Sequence, residues 1–68
     1  MVTGPLTERE KQIVRFIAED RSSEQIGASL NISVKTVEFH RKAITAKLGV
    51  KGTAGLVRYA IRAGLIDL

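Results

Sequence analysis

The chain has no cysteine, no tryptophan, one proline and one histidine. Without cysteine, neither a disulfide framework nor a thiolate metal site can brace the fold. His40 alone cannot build a metal centre, and no cofactor is expected. Aromatic residues make up 4% of the chain, little material for base-stacking platforms. No apolar run approaches the ~20 residues of a membrane span. Met1 to Pro5 has neither the charged nor the apolar region of a signal peptide. These absences set the expectation of a soluble, cytoplasmic protein with no membrane partner and no small-molecule ligand. No convergent nucleophile, acid and base is visible, so an enzyme is not expected and no catalytic residue is assigned.

What is present is short and basic. A chain of 68 residues allows one domain. It buries only about 60% of its unfolded surface, so its core must be compact and locally connected. Residues 1–5 are expected as a loose lead, and residues 6–68 as the domain. The net charge of +4 is unevenly placed. Residues 1–31 hold five acids and four bases, whereas residues 32–68 hold seven bases and two acids. A basic half suits an anionic partner such as nucleic acid, and equally an ordinary solvated surface.

Capping signals divide the chain into helices. Thr7-Glu8-Arg9-Glu10 is a capping box: Thr7 accepts from the Glu10 amide while Glu10 reaches back. Ile13, Val14 and Ile17 follow at helical spacing, predicting a helix from about Glu8 to Glu19. Ser22-Ser23-Glu24-Gln25 is a second box, followed by two turns that stop at Asn31. Ser33 caps a third helix from Val34 to Leu48, which Gly49 ends. A short helix and a longer one joined by Asn31-Ile32-Ser33 form a helix-turn-helix. Gly27 is expected where the third helix crosses the second closely. A fourth helix is expected from Ala54 to Ala63, capped by Gly52 or Thr53 and ended by Gly64. The predicted class is all-α, a compact four-helix domain.

The third helix carries the candidate site. At about 100° per residue, Val37, Ile44 and Leu48 fall on one buried stripe. His40 and Arg41 flank it, and Lys35, Glu38, Phe39, Lys42 and Ala46 face away. Lysine can donate to guanine, glutamate can accept from the cytosine amino group, and phenylalanine can meet a thymine methyl. Lys35, Glu38, Phe39 and Lys42 are therefore the candidate base readers. Phe39 could instead fold against a neighbouring helix. Thr36, Arg41 and Lys47 lie beside this face and, with Ser33, are candidates for phosphate contact. On the fourth helix, Ala60 and Ala63 share the side of Leu56, while Val57 and Ile61 widen the apolar arc. Either a second copy or helix 1 with the tail Leu65-Ile66 covers that excess.

Leu6-Thr7-x-Arg9-Glu10, Ile26-Gly27-x-x-Leu30, Ile32-Ser33-x-Lys35-Thr36-Val37-x-x-His40, Lys47-Leu48-Gly49-Val50 and Leu56-Val57-x-Tyr59-Ala60 follow in order. This series resembles the LuxR-type, or GerE-type, helix-turn-helix family over about residues 6–66. The resemblance implies a domain that binds double-stranded promoter DNA with its third helix in the major groove. It implies base contacts at Glu38, Phe39 and Lys42, and phosphate contacts at Thr36 and Lys47. It further implies the output end of a response regulator, with the fourth helix pairing two copies through Val57 and Ile61 and RNA polymerase as a possible partner. The sequence departs from the family at Glu24, Glu38, Thr53 and Gly55. Gly55 in particular predicts a frayed fourth helix and weak or DNA-dependent dimerisation.

Two other readings stand beside this one. A sigma-factor-like promoter reader shares the helix-turn-helix but would normally end soon after its recognition helix. A helical protein-interaction module would use the exposed Phe39 and the fourth helix instead. Salt dependence separates DNA binding from an apolar contact, because only the former releases counterions.

Overall fold

The computed structural model describes residues 6–66, so the expected lead at residues 1–5 lies outside them. Four helices follow in order: α1 Glu8–Ala18, α2 Ser23–Leu30, α3 Val34–Leu48 and α4 Gly52–Arg62. Both capping boxes form. The Glu10 amide donates to Thr7 Oγ1 at 3.1 Å, and the Thr7 amide donates to Glu10 Oε1 at 2.9 Å. Ser22 and Gln25 repeat the exchange at 3.1 and 2.9 Å. The Thr36 amide donates to Ser33 Oγ at 3.0 Å and starts α3. Each bond satisfies an amide that the first helical turn leaves without a partner.

The turn between α2 and α3 is set by two residues. Asn31 takes the left-handed conformation at φ +60°. The Ile32 amide then donates back to the Gly27 carbonyl at 2.9 Å. A side chain at Gly27 would place its Cβ 2.7 Å from the Ile32 carbonyl oxygen. Close approach was expected here, but the neighbour is the turn backbone and not helix α3. Gly49, at φ +65°, stops α3.

The start of α4 differs from expectation. It begins at Gly52, two residues before Ala54, and Lys51 stands at the cap with no side-chain hydrogen bond. Neither Gly52 nor Thr53 occupies the cap. Gly55 has a packing role: a Cβ there would lie 2.7 Å from Val50 Cβ. The bend after α3 rests on the bare helix surface at that point. Among the described residues, α1 ends at Ala18 and α4 at Arg62, each one residue short of the expected bound.

α1 packs mainly on α4, and α2 packs on α3. Ile13, Val14, Ile26, Val37, Ile44 and Leu56 are sealed between these pairs. Each buried Val, Leu or Ile is worth about 1.5–3 kcal/mol relative to exposure. Leu65 and Ile66 pack on this core after α4. Ala63 is exposed and does not share the buried side of Leu56 and Ala60.

Candidate nucleic-acid interface

With Val37 and Ile44 buried, the opposite side of α3 stands clear of the molecule. Lys35, Glu38, Phe39, Lys42 and Ala46 are all exposed along it. Phe39 keeps 69% of its surface and is not among the residues packed on the core; its ring and that of His40 meet edge-on, with centroids 6.1 Å apart. Its apolar ring stands on the exposed face between Lys35 and Lys42.

The candidate phosphate residues are placed around this face, each with a partner of its own. Ser33 Oγ and Thr36 Oγ1 share a hydrogen bond of 2.9 Å at the start of α3. Arg41 Nη2 donates to Thr53 Oγ1 at 3.0 Å, and Arg41 Nε lies 4.0 Å from Glu38 Oε1. The Ser23 hydroxyl donates to Glu38 Oε2. A polar chain therefore runs from α2 across α3 to α4 along one flank of the exposed face. It borders a shallow cleft of about 220 Å³ that Glu38, Arg41, Lys42 and Thr53 help to line.

Lys47 lies on the other flank, where its Nζ donates to both oxygens of Glu10 at 2.8 Å. Glu10 is buried at 6% exposure. Burial pushes its carboxyl up, but the Lys47 and Thr7 hydrogen bonds and the Lys47 charge outweigh this and hold it below its ordinary 4.5. Lys47 thus ties α1 to the end of α3, a structural duty that sequence reasoning did not assign. Two of its three N–H groups serve Glu10, and one remains for another acceptor.

Ser23 and Thr53 were also missed as members of the site. The doubled serine at 22–23 was the available signal for the first. Ser22 caps α2, which leaves the neighbouring hydroxyl for a different partner. Thr53 carried no such signal, because its partner lies 12 residues away on another helix.

The larger concavity, about 500 Å³, lies elsewhere. Val50, Lys51, Gly55, Arg58, Tyr59 and Arg62 line it, between the bend after α3 and α4. Among the described residues no metal-ligating cluster occurs, and no helix is long and apolar enough to cross a membrane. Beyond the core, the large apolar side chains of α4 are half-buried Val57 and exposed Ile61, the latter at 39%.

The turn, the buried stripe and the exposed basic face define a helix-turn-helix domain. Residues 4–60 match the family described as bacterial regulatory proteins, luxR family. The chain is 45% identical over 65 residues to the transcriptional regulatory protein MctR of Rhizobium johnstonii, covering 96% of this chain and 30% of that protein. It is 40% identical over 62 residues to the oxygen regulatory protein NreC of Staphylococcus aureus, covering 91% of this chain and 29% of that protein. The chain belongs to the luxR family and is a DNA-binding domain of that family. It spans less than a third of the length of the curated relatives it matches.

Proposed function

We propose that this domain reads promoter DNA with the outward face of α3 in the major groove, as the output part of a longer response regulator. The observation that carries the reading is the exposed set Lys35, Glu38, Phe39 and Lys42 on the one helix that the Asn31 turn projects from the core. In this reading those four side chains meet base edges. Ser33, Thr36, Arg41 and the free N–H of Lys47 meet phosphates, which position the domain without reading sequence. Val57 and Ile61 pair two copies weakly on DNA, and RNA polymerase is the partner through which binding alters transcription. The domain works in the cytoplasm and catalyses no reaction.

Selection of bound sequences from random duplex DNA tests the reading. A defined half-site is the expected result. Lys42→Ala should then weaken specific binding by about 1–3 kcal/mol and relax preference at one base position. An unchanged sequence profile would mean that Lys42 reads no base. Binding to duplex should also fall steeply with added salt. Salt-insensitive binding of a protein through Phe39, with no selected DNA motif, would replace this reading with a protein-interaction module.

A further inference from the structure

Glu38 is the unusual member of the reading face. A carboxylate brought toward DNA meets the negative potential of the phosphates, and a free glutamate side chain also samples many rotamers. Both effects oppose its use as a reader unless something holds it and offsets its charge. The structure supplies both. The Ser23 hydroxyl donates to Glu38 Oε2, and the Arg41 guanidinium lies 4.0 Å from Glu38 Oε1. Arg41 is itself fixed by its 3.0 Å bond to Thr53 at the start of α4.

Ser23 is free for this task because it is not the helix cap. Ser22 accepts from the Gln25 amide and closes the capping box, while Ser23 is the first residue of α2. It lies 15 residues from Glu38 in sequence, and the Gly27–Ile32 turn brings the two helices together. Each carboxylate oxygen has two acceptor sites, so one bond from Ser23 leaves Glu38 able to accept another. Of the two amino donors in the major groove, on cytosine and adenine, the cytosine group is the usual partner of a carboxylate, because adenine sets the acceptor N7 beside its own.

We propose that Ser23 is a specificity-determining residue that touches no base: it holds Glu38 in the posture that accepts from a cytosine amino group. The inference rests on the reading of Glu38 as a base contact, and the experiment separates the two. Sequence profiles are selected with the parent domain, Ser23→Ala, Ser23→Thr, Glu38→Ala and the double variant Ser23→Ala/Glu38→Ala. Affinity for an unrelated duplex and its salt slope are measured for each.

Glu38→Ala should flatten preference at one cytosine-containing pair. Ser23→Ala should lose several-fold of the discrimination at that same pair, with unrelated-DNA affinity and salt slope unchanged. Ser23→Thr, which keeps the hydroxyl, should restore most of it. The double variant should be no worse than Glu38→Ala, because Ser23 acts only through that carboxylate. A Ser23→Ala profile identical to the parent's, beside a flattened Glu38→Ala profile, overturns the role of Ser23 and spares the reading of Glu38. A Ser23→Ala loss equal on all duplexes, with a shallower salt slope, overturns it in favour of a phosphate contact. A Glu38→Ala profile identical to the parent's overturns the reading of Glu38 and the inference with it.

Discussion

At the scale of single residues, the most constrained contact is the pair formed by Glu10 and Lys47. Glu10 serves two ends of the molecule at once. One oxygen closes the α1 capping box, and both accept from Lys47 at the end of α3. Its carboxyl is buried yet titrates below 4.5, because the bonds from Lys47 and Thr7 outweigh desolvation. A carboxyl whose pKa is depressed by folding binds its proton more readily when unfolded, so acid favours the unfolded chain. The stability it contributes is therefore present above about pH 4.5 and lost as pH falls through the lower folded value. Lys47→Ala removes the ammonium and leaves the buried carboxylate with only the Thr7 amide. It should cost about 1–3 kcal/mol at neutral pH, the range for stranding a buried acceptor. The loss of stability below pH 4.5 should also become shallower than in the parent. Urea unfolding of both proteins at pH 7 and across the acid range measures this, and parallel acid profiles would contradict it. Because Lys47 is also a proposed phosphate contact, its DNA binding is compared well below the variant's melting temperature. There, the log–log salt slope should shrink by about one unit.

At the scale of elements, the turn between α2 and α3 decides where the reading face points. Gly27 sits under it, and an added Cβ would lie 2.7 Å from a backbone oxygen that has little room to yield. Gly27→Ala should therefore destabilise the domain by about 1–3 kcal/mol, the usual range for overpacking. It should also weaken specific DNA binding in the folded fraction, since relief requires α3 to shift against α2. A thermal melt and a half-site titration test this; an alanine variant as stable and as tight as the parent would show that the turn adjusts freely. The same elements show what a sequence reveals. Thr7, Ser22 and Ser33 were legible as caps because each bonds an amide three residues ahead. The outward face of α3 was legible because helical periodicity alone separates Phe39 and Lys42 from Val37 and Ile44. The start of α4 was not, because Lys51 offers no capping bond and Gly52 enters with φ +61°. Gly55 read as a weakness because its reason, contact with Val50, comes from the bend after α3. The Lys47–Glu10 pair spans 37 residues and the Ser23–Glu38 bond 15, distances at which no local rule applies.

At the scale of the whole molecule, size and surface bear on assembly. The body measures 27 × 26 × 22 Å. Half-sites bound by paired helix-turn-helix proteins are centred about one DNA turn apart, roughly 34–36 Å. One copy therefore covers one half-site and leaves room for a second beside it. The apolar surface on α4 available to join them is small. Ile61 is 39% exposed, Val57 is half-buried, and the helix has only 11 residues. Such a patch must offset the lost translational and rotational freedom of two bodies, and a few side chains barely do so. Binding to adjacent half-sites removes much of that cost by holding the copies at high effective concentration. The domain is thus expected to be a monomer at micromolar concentration and to fill correctly spaced half-sites cooperatively. Analytical ultracentrifugation addresses the free state, where a tight dimer would refute the expectation. Titration onto duplexes with one and two half-sites addresses the bound state, where independent filling at every spacing would sink it. Ile61→Asp separates interface from core. As a change at a partly exposed position it should alter stability by less than about 1 kcal/mol, keep single half-site affinity and abolish the cooperative part. If the variant melts far below the parent, Ile61 belongs to the packing of α4 on α1, and two copies must meet through another surface.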